Sequence, residues 1–140
     1  ADAAGASGLA SKETVDKFIY EAKRLGVYSI VDMMDVKNPL PILQSYGEPP
    51  DVVIIHRGID EEKGGAPRWH LVGDIKRAFK ERKILVAVAG GIDPSNLKSA
   101  LDAQADIIVV GRYITQSRGS RRRRCFERQS QAAWKNVYIP

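Results

Sequence analysis

Four short apolar runs constrain what this chain can fold into more than any other feature. They are Val27-Tyr-Ser-Ile-Val31, Asp51-Val-Val-Ile-Ile55, Ile84-Leu-Val-Ala-Val88 and Asp106-Ile-Ile-Val-Val110. Each is β-branched and nearly continuous, without the polar–apolar alternation of a strand that faces water on one side. Such runs are expected of parallel strands that lie in the middle of a layered fold, with helices against the sheet. Their starts fall roughly 22–32 residues apart. That spacing leaves room for one helix per repeat, a βα rhythm.

The segments between the runs carry helical signals. Ser11 is a suitable N-cap for a helix from Lys12 to Leu25, with Val15, Phe18, Ile19, Ala22 and Leu25 on one face and Gly26 ending it. Arg68 to Lys83 places Trp69, Val72, Ile75, Ala78 and Phe79 at helical spacing, which predicts a second helix. Asp93-Pro94 has the form of an N-cap with proline at the first helical position, opening a helix to Ala103. A shorter helix is expected over Leu40–Tyr46, between Pro39 and the turn Gly47-Glu-Pro-Pro50. Ala1–Ser7 is a weak fifth strand candidate: Ala-Gly-Ala-Ser is a poor β former, and it is expected to be the least ordered edge.

The rhythm fits two architectures, an open doubly wound sheet and part of a (β/α)8 barrel. With 140 residues the chain is one average domain, shorter than the roughly 250 residues of a whole barrel. Charge separates the chain into two parts. Residues 1–117 hold 15 Lys and Arg against 16 Asp and Glu, a net of −1, whereas residues 118–140 hold seven basic residues and one Glu, a net of +6. The overall basicity belongs to the tail, so any argument for nucleic acid concerns the tail alone. Six arginines within 118–128 can track a phosphate backbone, but a solvated basic tail is the commoner outcome of such a run, and only Phe126 is interleaved for base stacking. No apolar run approaches the roughly 20 residues that span a bilayer. A single cysteine, Cys125, excludes an intrachain disulfide framework and fits a reducing cytosol. The first residues, Ala-Asp-Ala-Ala-Gly, carry neither an initiator Met nor a signal segment and have the character of the interior of a longer reading frame.

Function in parallel α/β folds gathers at the carboxyl ends of the strands. Those ends read Asp32 and Asp35, His56-Arg-Gly-Ile-Asp60, Ala89-Gly90-Gly91-Ile92 and Gly111-Arg112. Gly90, Gly91 and Gly111 allow backbone N–H groups to approach an anion, and Arg112 supplies a planar fork suited to phosphate oxygens. The same glycines can also serve only tight βα turns. His56 is placed to move a proton or hydrogen-bond an enolate oxygen, or simply to cap its strand. Asp32 faces a barrel mouth or, as loop carboxylates commonly do, solvent; the case for Asp35 is weaker. No Cys-rich or other metal-ligand pattern occurs.

Together, Ser7-Gly-Leu-Ala10, Asp32-Met-Met-Asp-Val-Lys37, His56-Arg-Gly-Ile-Asp60, Ala87-Val-Ala-Gly-Gly-Ile92 and Val109-Val-Gly-Arg112 resemble the 3-hexulose-6-phosphate synthase family, among the orotidine-monophosphate-decarboxylase-like barrels. The resemblance runs in order from about residue 1 to 117, and the archaeal forms, often fused to a formaldehyde-activating domain, are the nearest look-alikes. It implies the C-terminal part of a (β/α)8 barrel, strands four to eight, followed by an atypical basic tail. It also implies an aldehyde-lyase reaction that requires Mg2+: ribulose 5-phosphate is deprotonated to an enediolate that adds to formaldehyde, or the reverse, in the cytoplasm. On this reading Gly91, Gly111 and Arg112 match phosphate-holding positions, His56 matches the sixth-strand histidine that assists proton movement, and Asp32 sits at a fifth-strand position near substrate. The family's metal-binding Glu and its Asp-x-Lys-x-x-Asp motif belong to strands outside this sequence, so the chain by itself is expected to be inactive. The open strand edges of a half barrel are expected to pair in a homodimer, unless the rest of the barrel comes from another polypeptide or a longer reading frame. After Gln116 the family's amphipathic last helix is replaced by the Arg-rich stretch, for which a shifted reading frame is one account. Two other readings remain open: a phosphate- or RNA-binding module that uses the tail, and a related phosphosugar lyase.

Overall fold

The computed structural model describes residues 1–58 and 67–116. Ile59 and Asp60, named above with the third strand end, lie outside the described residues, as does the basic tail. Among the described residues strands and helices follow one another in turn: β1 (Ala3–Ser7), α1 (Lys12–Arg24), β2 (Tyr28–Asp32), α2 (Pro39–Ser45), β3 (Val52–His56), α3 (His70–Ala78), a 3-10 turn (Lys80–Arg82), β4 (Leu85–Ala89), α4 (Leu97–Asp102), β5 (Ile107–Val109) and α5 (Arg112–Thr115). All four expected strands form, each within a residue of its apolar run. The weak candidate forms too. Ala3–Ser7 pairs along its whole length with β2, from Ala3 opposite Tyr28 to Ser7 opposite Asp32. A neighbouring strand that needs a partner outweighs a poor intrinsic propensity here.

Strand order decides the architecture. The five strands lie in the order β1-β2-β3-β4-β5, every neighbouring pair parallel. A doubly wound sheet reverses its winding at a switch point and places helices on both faces. Here each strand lies next to its predecessor, as in a (β/α)8 barrel. That order overturns the doubly wound alternative. Val31, Val53, Val86, Val88 and Ile108 are completely buried among the helices, with Val15 and Ile19 of α1, Val72 and Ile75 of α3, and Leu97 and Ala100 of α4. Each such side chain contributes about 1.5–3 kcal/mol relative to leaving it in water. The alternate residues face the other way. Tyr28 and Leu85 are exposed there, and Ile30, Ile54, Ile107 and Val109 are half-buried. This is the sheet face that points inward in a closed barrel.

Two helices differ from their sequence patterns. The run from Arg68 to Lys83 is not one helix: α3 ends at Ala78, a 3-10 turn follows, and Lys83 takes a left-handed φ of 49°. The chain must turn sharply there to enter β4, and that need overrides the apolar periodicity through Phe79. Asp93 Oδ1 accepts from the Ser95 N–H at 2.7 Å, but this closes only a turn after Pro94; regular helix begins at Leu97, with Asn96 rather than Asp93 at the N-cap position. Asn96 is the reason. Its Oδ1 accepts from the Asp93 N–H at 3.1 Å and its Nδ2 donates to the Gly91 carbonyl at 2.8 Å, fastening the first turn back onto the end of β4.

Candidate functional site

Asp32 and His56 are the last residues of β2 and β3. The register sets Asp32 opposite Ile54, and because side chains alternate along a strand, His56 emerges on the same face as Asp32, one step diagonally across. The two side chains meet. His56 Nδ1 lies 2.9 Å from Asp32 Oδ2, while Asp32 Oδ1 accepts from the Met34 N–H at 3.0 Å. With both carboxylate oxygens engaged, Asp32 is held in place, and the Nδ1–H donor fixes which ring nitrogen points away from it. Both side chains are about one-third exposed, at 34% and 30%. Asp35 does not join them. It occupies a left-handed turn, φ 63°, with its carboxylate beside Gly58.

The three glycines prove to differ. Gly90 has a φ of 94°, and a Cβ there would lie 2.1 Å from the Arg57 carbonyl oxygen, so only glycine lets the end of β4 press against the end of β3. Gly91 has a φ of 62°, the left-handed conformation that favours glycine. Gly111 has neither constraint: its φ is −101°, and no atom lies within 4 Å of where a Cβ would sit. Its bare face opens onto a cleft of about 720 Å3. His56, Gly90, Gly91, Gly111 and Arg112 all line that cleft, so strand ends named from sequence converge on one space. Arg57, Met34 and Tyr113 line it as well. None was singled out from sequence; for Arg57 the signal was its place between His56 and Gly58 at a strand end.

Among the described residues no three His, Cys, Asp or Glu side chains cluster in a way that holds a metal ion. Among the described residues, the Asp32 carboxylate is engaged by His56 and Met34, and that of Asp93, which lines the cleft, accepts from Ser95. The described residues therefore do not fit a magnesium site of their own. No described helix is long and apolar enough to cross a membrane.

Residues 1–123 match the Orotidine 5'-phosphate decarboxylase / HUMPS family. The chain belongs to that family. Within the decarboxylase/HUMPS family its curated relatives include proteins named "Bifunctional enzyme Fae/Hps". The protein from Methanothrix thermoacetophila is 50% identical over 121 residues, covering 86% of this chain and 30% of the relative. That from Methanocella arvoryzae is 46% identical over 119 residues, covering 84% and 30%. Among solved structures, the 3-hexulose-6-phosphate synthase from Salmonella typhimurium superposes with a TM-score of 0.67 at 28% identity, covering 84% of this chain and 56% of that one. The chain thus spans about 30% of the length of these curated relatives and just over half of that solved chain. The consecutive parallel sheet is part of this family's (β/α)8 barrel.

Proposed function

We propose that this chain supplies the phosphate-holding and proton-relaying part of a 3-hexulose-6-phosphate synthase, an aldehyde-lyase. The observation that carries this reading is the convergence of a carboxylate-oriented imidazole with Gly91, Gly111 and Arg112 on one cleft. In the condensing direction, C1 of the ribulose 5-phosphate enediolate attacks the carbon of formaldehyde, and the new bond leaves negative charge on the former aldehyde oxygen. His56 Nε2, turned away from Asp32, delivers a proton to that oxygen; in the reverse direction it takes the proton back as the carbon–carbon bond breaks. Asp32 keeps the ring oriented and stabilises its charged form. Arg112 and the backbone at Gly91 and Gly111 hold the phosphate, and so place C1 relative to the imidazole. Magnesium, which the family resemblance implies, would be held by residues other than those described, and no step above passes through it.

Binding and turnover separate in this reading. The chain binds ribulose 5-phosphate while turning it over little, because groups that act only in the transition state govern rate more than binding. In calorimetry, Arg112→Ala should weaken ribulose 5-phosphate by about 1.5–3 kcal/mol, the scale of a charged hydrogen bond. Undiminished binding, or robust turnover by the chain alone, would contradict the proposal.

The same reading calls for something to cover the inward sheet face, where among the described residues the outer edges of β1 and β5 have no strand partner. Leaving about 600 Å2 of apolar surface in water forfeits about 15 kcal/mol, as much as a whole domain's stability. A second copy of the chain is the simplest cover. Sedimentation at micromolar concentration should show a dimer; a cooperatively unfolding 15.5 kDa monomer would rule it out.

A further inference from the structure

The cleft is lined by a second arginine to which neither the resemblance nor the sequence motifs assign a role. Arg57 follows His56 at the end of β3, is half-buried, and lines the same cleft as Arg112, Gly91 and Gly111. Its backbone is fixed unusually firmly. The Arg57 N–H donates to the Ala89 carbonyl at 3.0 Å, and the bare α-carbon of Gly90 lies against the Arg57 peptide where no side chain would fit. The turn that begins at Gly90 therefore runs between the two arginines: Arg57 stands at the β3 end of the cleft and Arg112 at the β5 end. A phosphate monoester near neutral pH carries close to two negative charges and three terminal oxygens. One planar fork engages two oxygens at most, which leaves the third for a second donor group.

We propose that Arg57 is the second arm of a two-arginine clamp on the phosphate of the substrate. The proposal rests on the phosphate reading of the cleft and deepens it. Because Arg57 adjoins His56 in the chain, a phosphate gripped from this side is tied to the strand end that carries the imidazole. The clamp thus sets the distance between anion and reacting carbon, and it favours phosphate esters over free sugars.

The test titrates the whole chain with inorganic phosphate and ribulose 5-phosphate by 31P NMR, and with unphosphorylated ribulose by calorimetry. Arg57→Gln should weaken inorganic phosphate and ribulose 5-phosphate by the same factor, about tenfold, and steepen discrimination against neither. Arg57→Lys keeps the charge but not the fork and should recover part of the loss, which also separates lost charge from a misfolded variant. Unchanged affinity for inorganic phosphate in Arg57→Gln overturns the clamp, as does an affinity loss in Arg57→Gln that is accompanied by a lower melting temperature and is absent from an Arg57→Lys variant that melts like the parent and also lacks the fork. If the parent binds ribulose 5-phosphate no better than inorganic phosphate, the sugar-phosphate reading fails while the arginine effect on phosphate still stands. Absence of phosphate binding by the parent chain overturns both.

Discussion

The two ends of the sheet use the same residue type for opposite purposes. At the amino ends, aspartates just ahead of the strands bind the fold's own backbone. Asp51, ahead of β3, accepts from the N–H and Oγ of Ser29 at 2.8 and 2.7 Å, and Ser29 Oγ accepts in turn from the Asp51 N–H at 3.0 Å. Asp106, ahead of β5, accepts from the Val86 N–H at 2.8 Å and from Lys76 Nζ at 2.7 Å. Each carboxylate staples its strand to the preceding one. At the carboxyl ends, Asp32 takes one backbone N–H and spends its other oxygen on His56, whose ring faces a cleft. A carboxylate that satisfies buried N–H groups stabilises a fold; one that orients a titratable ring beside open space is equipped for chemistry. The comparison agrees with the general division of barrel folds into a stability face and an active face.

The largest expected effect breaks the comparison rather than supporting it. Gly90→Ala, at the carboxyl end, should cost about 3 kcal/mol of folding stability, because its Cβ collides with the Arg57 peptide and its φ of 94° is unsuited to alanine. Urea unfolding measures it directly. An alanine variant as stable as the parent would mean that the ends of β3 and β4 are not pressed together. Next in size, Asp51→Ala should lose about 2 kcal/mol, since the buried Ser29 N–H is left without its acceptor. It should leave ribulose 5-phosphate affinity within twofold of the parent, the reverse of what Arg112→Ala does. A variant that loses affinity in step with stability would erase the distinction between the two ends.

The smallest effect sharpens the picture of the amino end, where one polar group is left over. The buried Tyr46 hydroxyl has no hydrogen-bond partner among the described residues. Tyr46→Phe should therefore raise stability by about 1 kcal/mol. Burial, with a smaller contribution from the charge of Asp16, pushes the Tyr46 phenol above its ordinary value of 10.0. Because folding then favours the neutral phenol, that contribution is complete below the ordinary tyrosine value and is lost as pH rises through the higher folded one. The parent should lose stability above about pH 10 faster than Tyr46→Phe does, in denaturant melts taken across the alkaline range.

Much of this was written in local sequence. The four apolar runs, the Ser11 cap, the glycines and Arg112 were legible because periodicity, capping and turn chemistry act over a few residues. The break at Phe79 and the late start of α4 were not. Both answer to where the chain must go next, and Asn96 declares its role only once it lies beneath the Gly91 carbonyl. The site divides in the same way. Sequence alone established which side chains stand at the strand ends, since that follows from a strand's own length and alternation. Register and strand order are properties of several strands at once, and they decided the rest: that Asp32 meets His56, that Gly90 is glycine for the sake of Arg57, and that the bare face of Gly111 opens onto the same cleft as both arginines.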